Sequence, residues 1–127
     1  MIDHLPRARQ RDPLPVLAAT VVTAITAAPW ALGFSASHAA VAGHIAFAMA
    51  FAPIALLINA LPAAAVTTAA AGTWLVASPW ALGYASLGAA AWGADLLAGL
   101  ILVALAVRAR SAGDQHAGPS ARRAPRA

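Results

Sequence analysis

Between Asp12 and Asp95 the chain carries no Asp, Glu, Lys or Arg. A water-soluble domain covers roughly a quarter to a third of its surface with charge. A chain of 127 residues with 61% apolar and 9% charged side chains cannot clothe such a surface, and the uncharged stretch is expected to face lipid. In lipid every backbone polar group must find its partner inside the protein, which admits helices or closed barrels. A helix needs about 20 apolar residues to cross about 30 Å of hydrocarbon. Four runs of that order, residues 14–32, 39–61, 63–82 and 87–107, follow one another with short connections, which predicts antiparallel neighbours. Cysteine is absent, which excludes disulfides and thiolate chemistry.

A repeat organises these runs. Ala28-Pro29-Trp30-Ala31-Leu32-Gly33-Phe34 returns as Ser78-Pro79-Trp80-Ala81-Leu82-Gly83-Tyr84, identical at five consecutive positions. Proline removes a helical hydrogen bond, tryptophan favours the membrane–water boundary, and glycine accepts the left-handed conformation that ends helices. Pro29, Trp30, Gly33, Ser78, Pro79, Trp80 and Gly83 are therefore expected to mark where a helix surfaces, as structural rather than binding residues. Ser78-Pro79-Trp80 resembles the signature of the SPW-repeat family of small bacterial membrane proteins, whose repeat is a pair of membrane helices with Ser-Pro-Trp near the end of the first. The first copy has Ala28 in place of serine. Trp92, Asp95 and Gly99 fit the family's second helix, and His38 and Gly43 hint at it in the first copy. The resemblance extends over about residues 14 to 107 and implies a fold without an activity. The expected architecture is an all-α, four-helix membrane bundle of two tandem hairpins, residues 14–61 and 62–107, in parallel duplication.

All eight basic residues are arginines in the two terminal segments, residues 1–13 and 108–127, which are expected to be disordered. The positive-inside rule then places both ends in the cytoplasm of a bacterial plasma membrane. Both ends on one side require an even number of spans, which four runs satisfy. The basic tails are expected to meet anionic lipid headgroups; without interleaved aromatics they do not read as a nucleic-acid surface. A basic start before an apolar run also fits a signal peptide, but the first run ends in a motif whose internal twin cannot be a cleavage site.

Within the runs, threonines 20, 23 and 26 are expected to bond back to their own helix. Ala39, Ala42, Gly43, Ala46 and Ala50 form a small-residue stripe that predicts a packing face, Pro53 predicts a kink, and Trp74 is expected as packing bulk. Asp95 is the only carboxylate inside the runs. Its helical neighbours Ala91, Ala98 and Gly99, with Gly88 a turn away, are small, so it is expected on a close-packed face. A carboxylate at that depth costs about 2.5–3.5 kcal/mol on insertion scales and requires a partner. His44, at comparable depth on the second helix, is the candidate. The alternative favoured by sequence is a protonated Asp95 bonded to a backbone carbonyl or an indole, with His44 as a neutral contact residue. No metal-ligand spacing, serine triad or phosphate loop is present. These features point to a non-enzymatic membrane module without cofactor, self-associating or accessory to a membrane partner. The alternative is a small proton-linked transporter or channel using Asp95.

Overall fold

The computed structural model describes residues 12–116 and residue 118. These residues form five α-helices and no strand: α1 (Leu14–Thr26), α2 (Ala28–Ala31), α3 (His38–Leu56), α4 (Pro62–Ala81) and α5 (Ala89–His116), with a 3-10 turn at Ala85–Leu87. The first apolar run, expected as one helix, is thus interrupted. At Ala27 the N–H turns back to the carbonyl of Ala24 at 3.0 Å, and α2 starts beyond it. Its counterpart α4 runs unbroken through Pro79. One hydroxyl accounts for the difference. Pro79 has no N–H for the carbonyl of Leu75, four residues back, and Ser78 Oγ donates to that carbonyl at 2.9 Å. Ala28, at the corresponding place in the first repeat, has no such donor.

Helix α3 stops at Leu56, short of the expected residue 61. Leu61 is extended (φ −129°, ψ 123°), the conformation that a following proline imposes, so the chain must leave the helix before Pro62 opens α4. At its other end α5 overruns its expected boundary. Residues 108–116, expected as disordered tail, continue the helix, because Arg108, Ala109, Arg110 and Ala112 favour it and Ala109 is buried. The expected disorder of residues 1–11, 117 and 119–127 lies outside the described residues. Both repeated glycines are left-handed as expected, Gly33 at φ +80° and Gly83 at φ +76°. Thr20, Thr23 and Thr26 donate to the carbonyls of Val16, Ala19 and Val22.

Each long helix packs on two others: α1 on α3 and α5, and α4 on α5 and α3. Exchanging α1 for α4 and α3 for α5 reproduces the same pairings. The α4–α5 pair is the more intimate. A Cβ on Gly72 would lie 2.6 Å from the Gly99 carbonyl oxygen, and one on Gly99 would lie 2.5 Å from that of Gly72, so the backbones touch through the absence of side chains. Ala91, Ala98 and Gly99 are buried as expected around Asp95, whereas Gly88 is exposed.

The face of α3 is corrected. Ala39, Ala42, Ala46 and Ala50 point outward and Gly43 is only half-buried, while Ala40, His44, Phe47 and Ala55 face the interior. In an alanine-rich helix small residues fall on every side, and burial goes to the face that carries the volume, here His44 and Phe47. Trp74 is likewise 48% exposed rather than interior bulk. His38–Leu56 and Ala89–His116 are long and apolar enough to cross a membrane, and Leu14–Thr26 is a shorter apolar helix.

Candidate functional site

Asp95 and His44 are each the seventh residue of their helices, α5 and α3. They occupy the same place in the two repeats. Because those helices are exchanged by the relation between the halves, equivalent positions meet at the centre. His44 Nε2 lies 2.8 Å from Asp95 Oδ1, with the side chains 3% and 0% exposed. His44 Nδ1 donates to the Ala40 carbonyl at 2.6 Å, which holds the ring against its own helix and turns Nε2 toward α5. Asp95 therefore bonds to His44 and not to an indole or a backbone carbonyl, the arrangement favoured by sequence.

The second carboxylate oxygen has its own partners. Tyr84, in the connection after α4, donates its hydroxyl to Asp95 Oδ2, and Ser78 Oγ lies 2.9 Å from the Tyr84 oxygen and 3.5 Å from Oδ2. No buried side-chain nitrogen or oxygen among the described residues lacks a partner. Burial above all, with the carboxyl group beside it, pushes the Tyr84 phenol well above its ordinary range, so Tyr84 remains a hydroxyl donor. Phe34, the repeat equivalent of Tyr84, stacks on it with ring centroids 6.2 Å apart and planes 6° from parallel, and leans on the His44 ring at 5.9 Å.

Ser78 and Tyr84 were legible in the sequence as members of a helix-ending motif, but not as partners of Asp95. The signal was the pair of positions at which the copies differ, Ala28 against Ser78 and Phe34 against Tyr84. In each, the repeat that contains the carboxylate gains one hydroxyl. The remaining motif residues stay apart from the cluster: Trp30 and Trp80 are exposed, Pro29 and Pro79 are buried within helices, and Gly33 and Gly83 turn the chain.

A cavity of about 10 Å³, the space of one water, adjoins the cluster between α3 and α4, bounded by Gly43, His44, Trp74, Ser78, Leu82 and Tyr84. Among the described residues no three metal-ligating His, Asp or Glu side chains come together. With one histidine, one carboxyl and two hydroxyls, the arrangement is equipped to hold and pass a proton and to tie the halves together. A family model described as the SPW repeat domain matches residues 13–109. No curated protein and no solved structure matches the chain.

Proposed function

The chain belongs to the SPW repeat domain family, and from that premise we propose that it is a non-enzymatic integral membrane module, a bundle of four membrane-crossing helices in two tandem hairpins. The observation that carries the reading is an inverted distribution of polarity. Met49 is 76% exposed, and Val16, Leu97, Leu100 and Val107 also face outward, while Asp95 and His44 are interior. Only 22% and 33% of the most apolar stretches of α3 and α5 are buried inside the protein, far too little for core helices of a soluble domain. Residues 14–31 would extend about 27 Å as helix and the 20 residues of α4 about 30 Å, close to the hydrocarbon thickness.

In this reading the bacterial plasma membrane holds the bundle, with both termini cytoplasmic and their arginines near anionic headgroups. Trp30 and Trp80 then lie at one interface, beyond which the connections after Gly33 and Gly83 face outward. The halves are a parallel duplication about an axis along the membrane normal. The sealed cluster serves as glue between hairpins, and the outward alanines of α3 leave a face on which a second copy or a membrane partner can pack closely. Reporter fusions test the placement: residues 1–13, the turn at Asn59 and residues 108–127 should report inside, the two connections outside. An outside signal at either terminus overturns it. Purification in mild detergent, with identification of co-purifying chains, tests self-association against accessory partnership.

A second reading, a small proton-linked transporter or channel at Asp95, is favoured by the 2.8 Å contact between His44 and Asp95, two groups that can each carry a proton. Vesicles loaded with a pH dye separate the two. Wild-type flux that Asp95→Asn removes supports transport, because an amide cannot cycle a proton. Equal leakage from both leaves the module.

A further inference from the structure

Far from Asp95, where the connection between α3 and α4 meets the last turns of α5, the chain encloses a larger cavity of about 290 Å³. Buried Ile58, Ala65 and Ala109 form an apolar floor, and exposed Asn59, Arg110 and Asp114 stand at its rim. Arg110 and Asp114 lie one turn apart on α5, yet among the described residues they form no ion pair. With the cation ahead of the anion in the chain, the pair is the weaker arrangement on a helix. Asp114 also stands in the last turn of α5, where the helix dipole opposes a negative charge. The two charges therefore suit a ligand of both signs better than they suit each other.

We propose that this cavity binds the headgroup of a phospholipid with a primary ammonium group, of the ethanolamine type, its phosphate on Arg110 and its ammonium on Asp114. The site deepens the membrane reading above and rests on it. Pro62, also on the rim, opens α4, whose 20 residues match the hydrocarbon thickness. A cavity at Pro62 is thus at the edge of the hydrocarbon, where headgroups stand. Its volume falls just below the range of about 300–1,000 Å³ for drug-sized sites, which fits a headgroup rather than a whole lipid. The apolar floor receives the glycerol end, and the Asn59 amide offers a donor and an acceptor to its ester oxygens.

Charge selects among lipids. A purely anionic headgroup meets Arg110 but is repelled by Asp114. Choline carries both signs, but its methylated nitrogen has no hydrogen to donate to the carboxylate. A primary ammonium beside a phosphate satisfies both side chains with charge-assisted hydrogen bonds. Bound in this way, the headgroup ties the end of α5 to the joint between the two repeats.

Native mass spectrometry of the full-length protein in detergent measures the affinities for dioleoyl phosphatidylethanolamine, phosphatidylglycerol and phosphatidylcholine. The ethanolamine lipid should bind about threefold to fivefold more tightly than either of the others, the worth of one exposed ion pair. Asp114→Asn should remove that preference and leave phosphatidylglycerol bound at least as tightly as before, since the repelling charge is gone. Arg110→Gln should weaken all three. Both side chains are exposed, so the fold survives either change, and the glycerol lipid still held by Asp114→Asn reports an intact protein. Equal affinities in the wild type, a preference that Asp114→Asn leaves in place, or equally tight binding of free O-phosphoethanolamine overturns the proposal. Reporter fusions read orientation without reference to lipid binding in detergent, so failure of the membrane placement and failure of the headgroup site give different results.

Discussion

Asp95 is fully buried, and its two oxygens are divided between partners on different elements, His44 on α3 and Tyr84 on the connection after α4. An amide reproduces the pattern, since one branch can donate to Nε2 while the other accepts from Tyr84. Asp95→Asn should therefore cost no more than about 1 kcal/mol of stability in lipid, the net worth of one ordinary hydrogen bond. Asp95→Leu leaves His44 Nε2 buried without a partner and Tyr84 with Ser78 alone, and should cost about 1–3 kcal/mol. Unfolding by denaturant in bilayers measures both, and equal losses would remove the hydrogen bonds from the account. Gly33 and Gly83 give a backbone test of a different kind. Neither has any atom within 4 Å of an added Cβ, so only the left-handed φ opposes substitution. Valine at either should cost about 1–2 kcal/mol, the expense of that conformation for an L-residue, and an asparagine should cost less in the same assay.

Elements in the two halves differ where single atoms differ. Ser78 Oγ occupies the carbonyl that Pro79 would leave open and keeps α4 whole, whereas the Ala28 version of the motif splits the helix into α1 and α2. Ala28→Ser is expected to join them, with slower amide exchange across residues 26–31; unchanged exchange there would refute the account. The α4–α5 contact makes a second contrast. Gly99→Ala forces a Cβ into the Gly72 carbonyl and should lose about 1–3 kcal/mol by overpacking. Gly93→Ala, on the same helix with nothing within 4 Å, should gain about 0.5–1 kcal/mol by easing the entropic cost of a helical glycine. Thermal unfolding of the two variants side by side decides whether backbone contact or general helix propensity governs α5.

At the scale of the whole molecule, Trp30 and Trp80 lie at equivalent ends of the two halves with more than half of each side chain exposed, and Trp80 leans toward Trp92 at 6.4 Å. If they anchor the bundle at the outer interface, alanine at either should lower stability in bilayers while phenylalanine is mild. The same substitutions in detergent micelles, which impose no interface of fixed thickness, should differ little. A loss of equal size in both media would make these tryptophans packing residues instead.

Helical class, the glycine turns and the threonine back-bonds could be read from the chain because each depends on neighbours within a turn or on bulk composition. An uncharged stretch leaves an uncharged surface wherever its residues end up, and Gly33 or Gly83 accepts a left-handed turn whatever packs beside it. The inner face of α3 could not be read in the same way, since alanine at 39, 42, 46 and 50 offers as plausible a helical stripe as Ala40, His44, Phe47 and Ala55. Tyr84 showed only as a variant flank of the motif, because its bond to Asp95 joins residues eleven apart through a turn and a helix start. Those two features depend on how the helices cross. Only the tertiary arrangement brings the seventh residues of α3 and α5 together and places the two hydroxyls of the second repeat beside the carboxylate they serve.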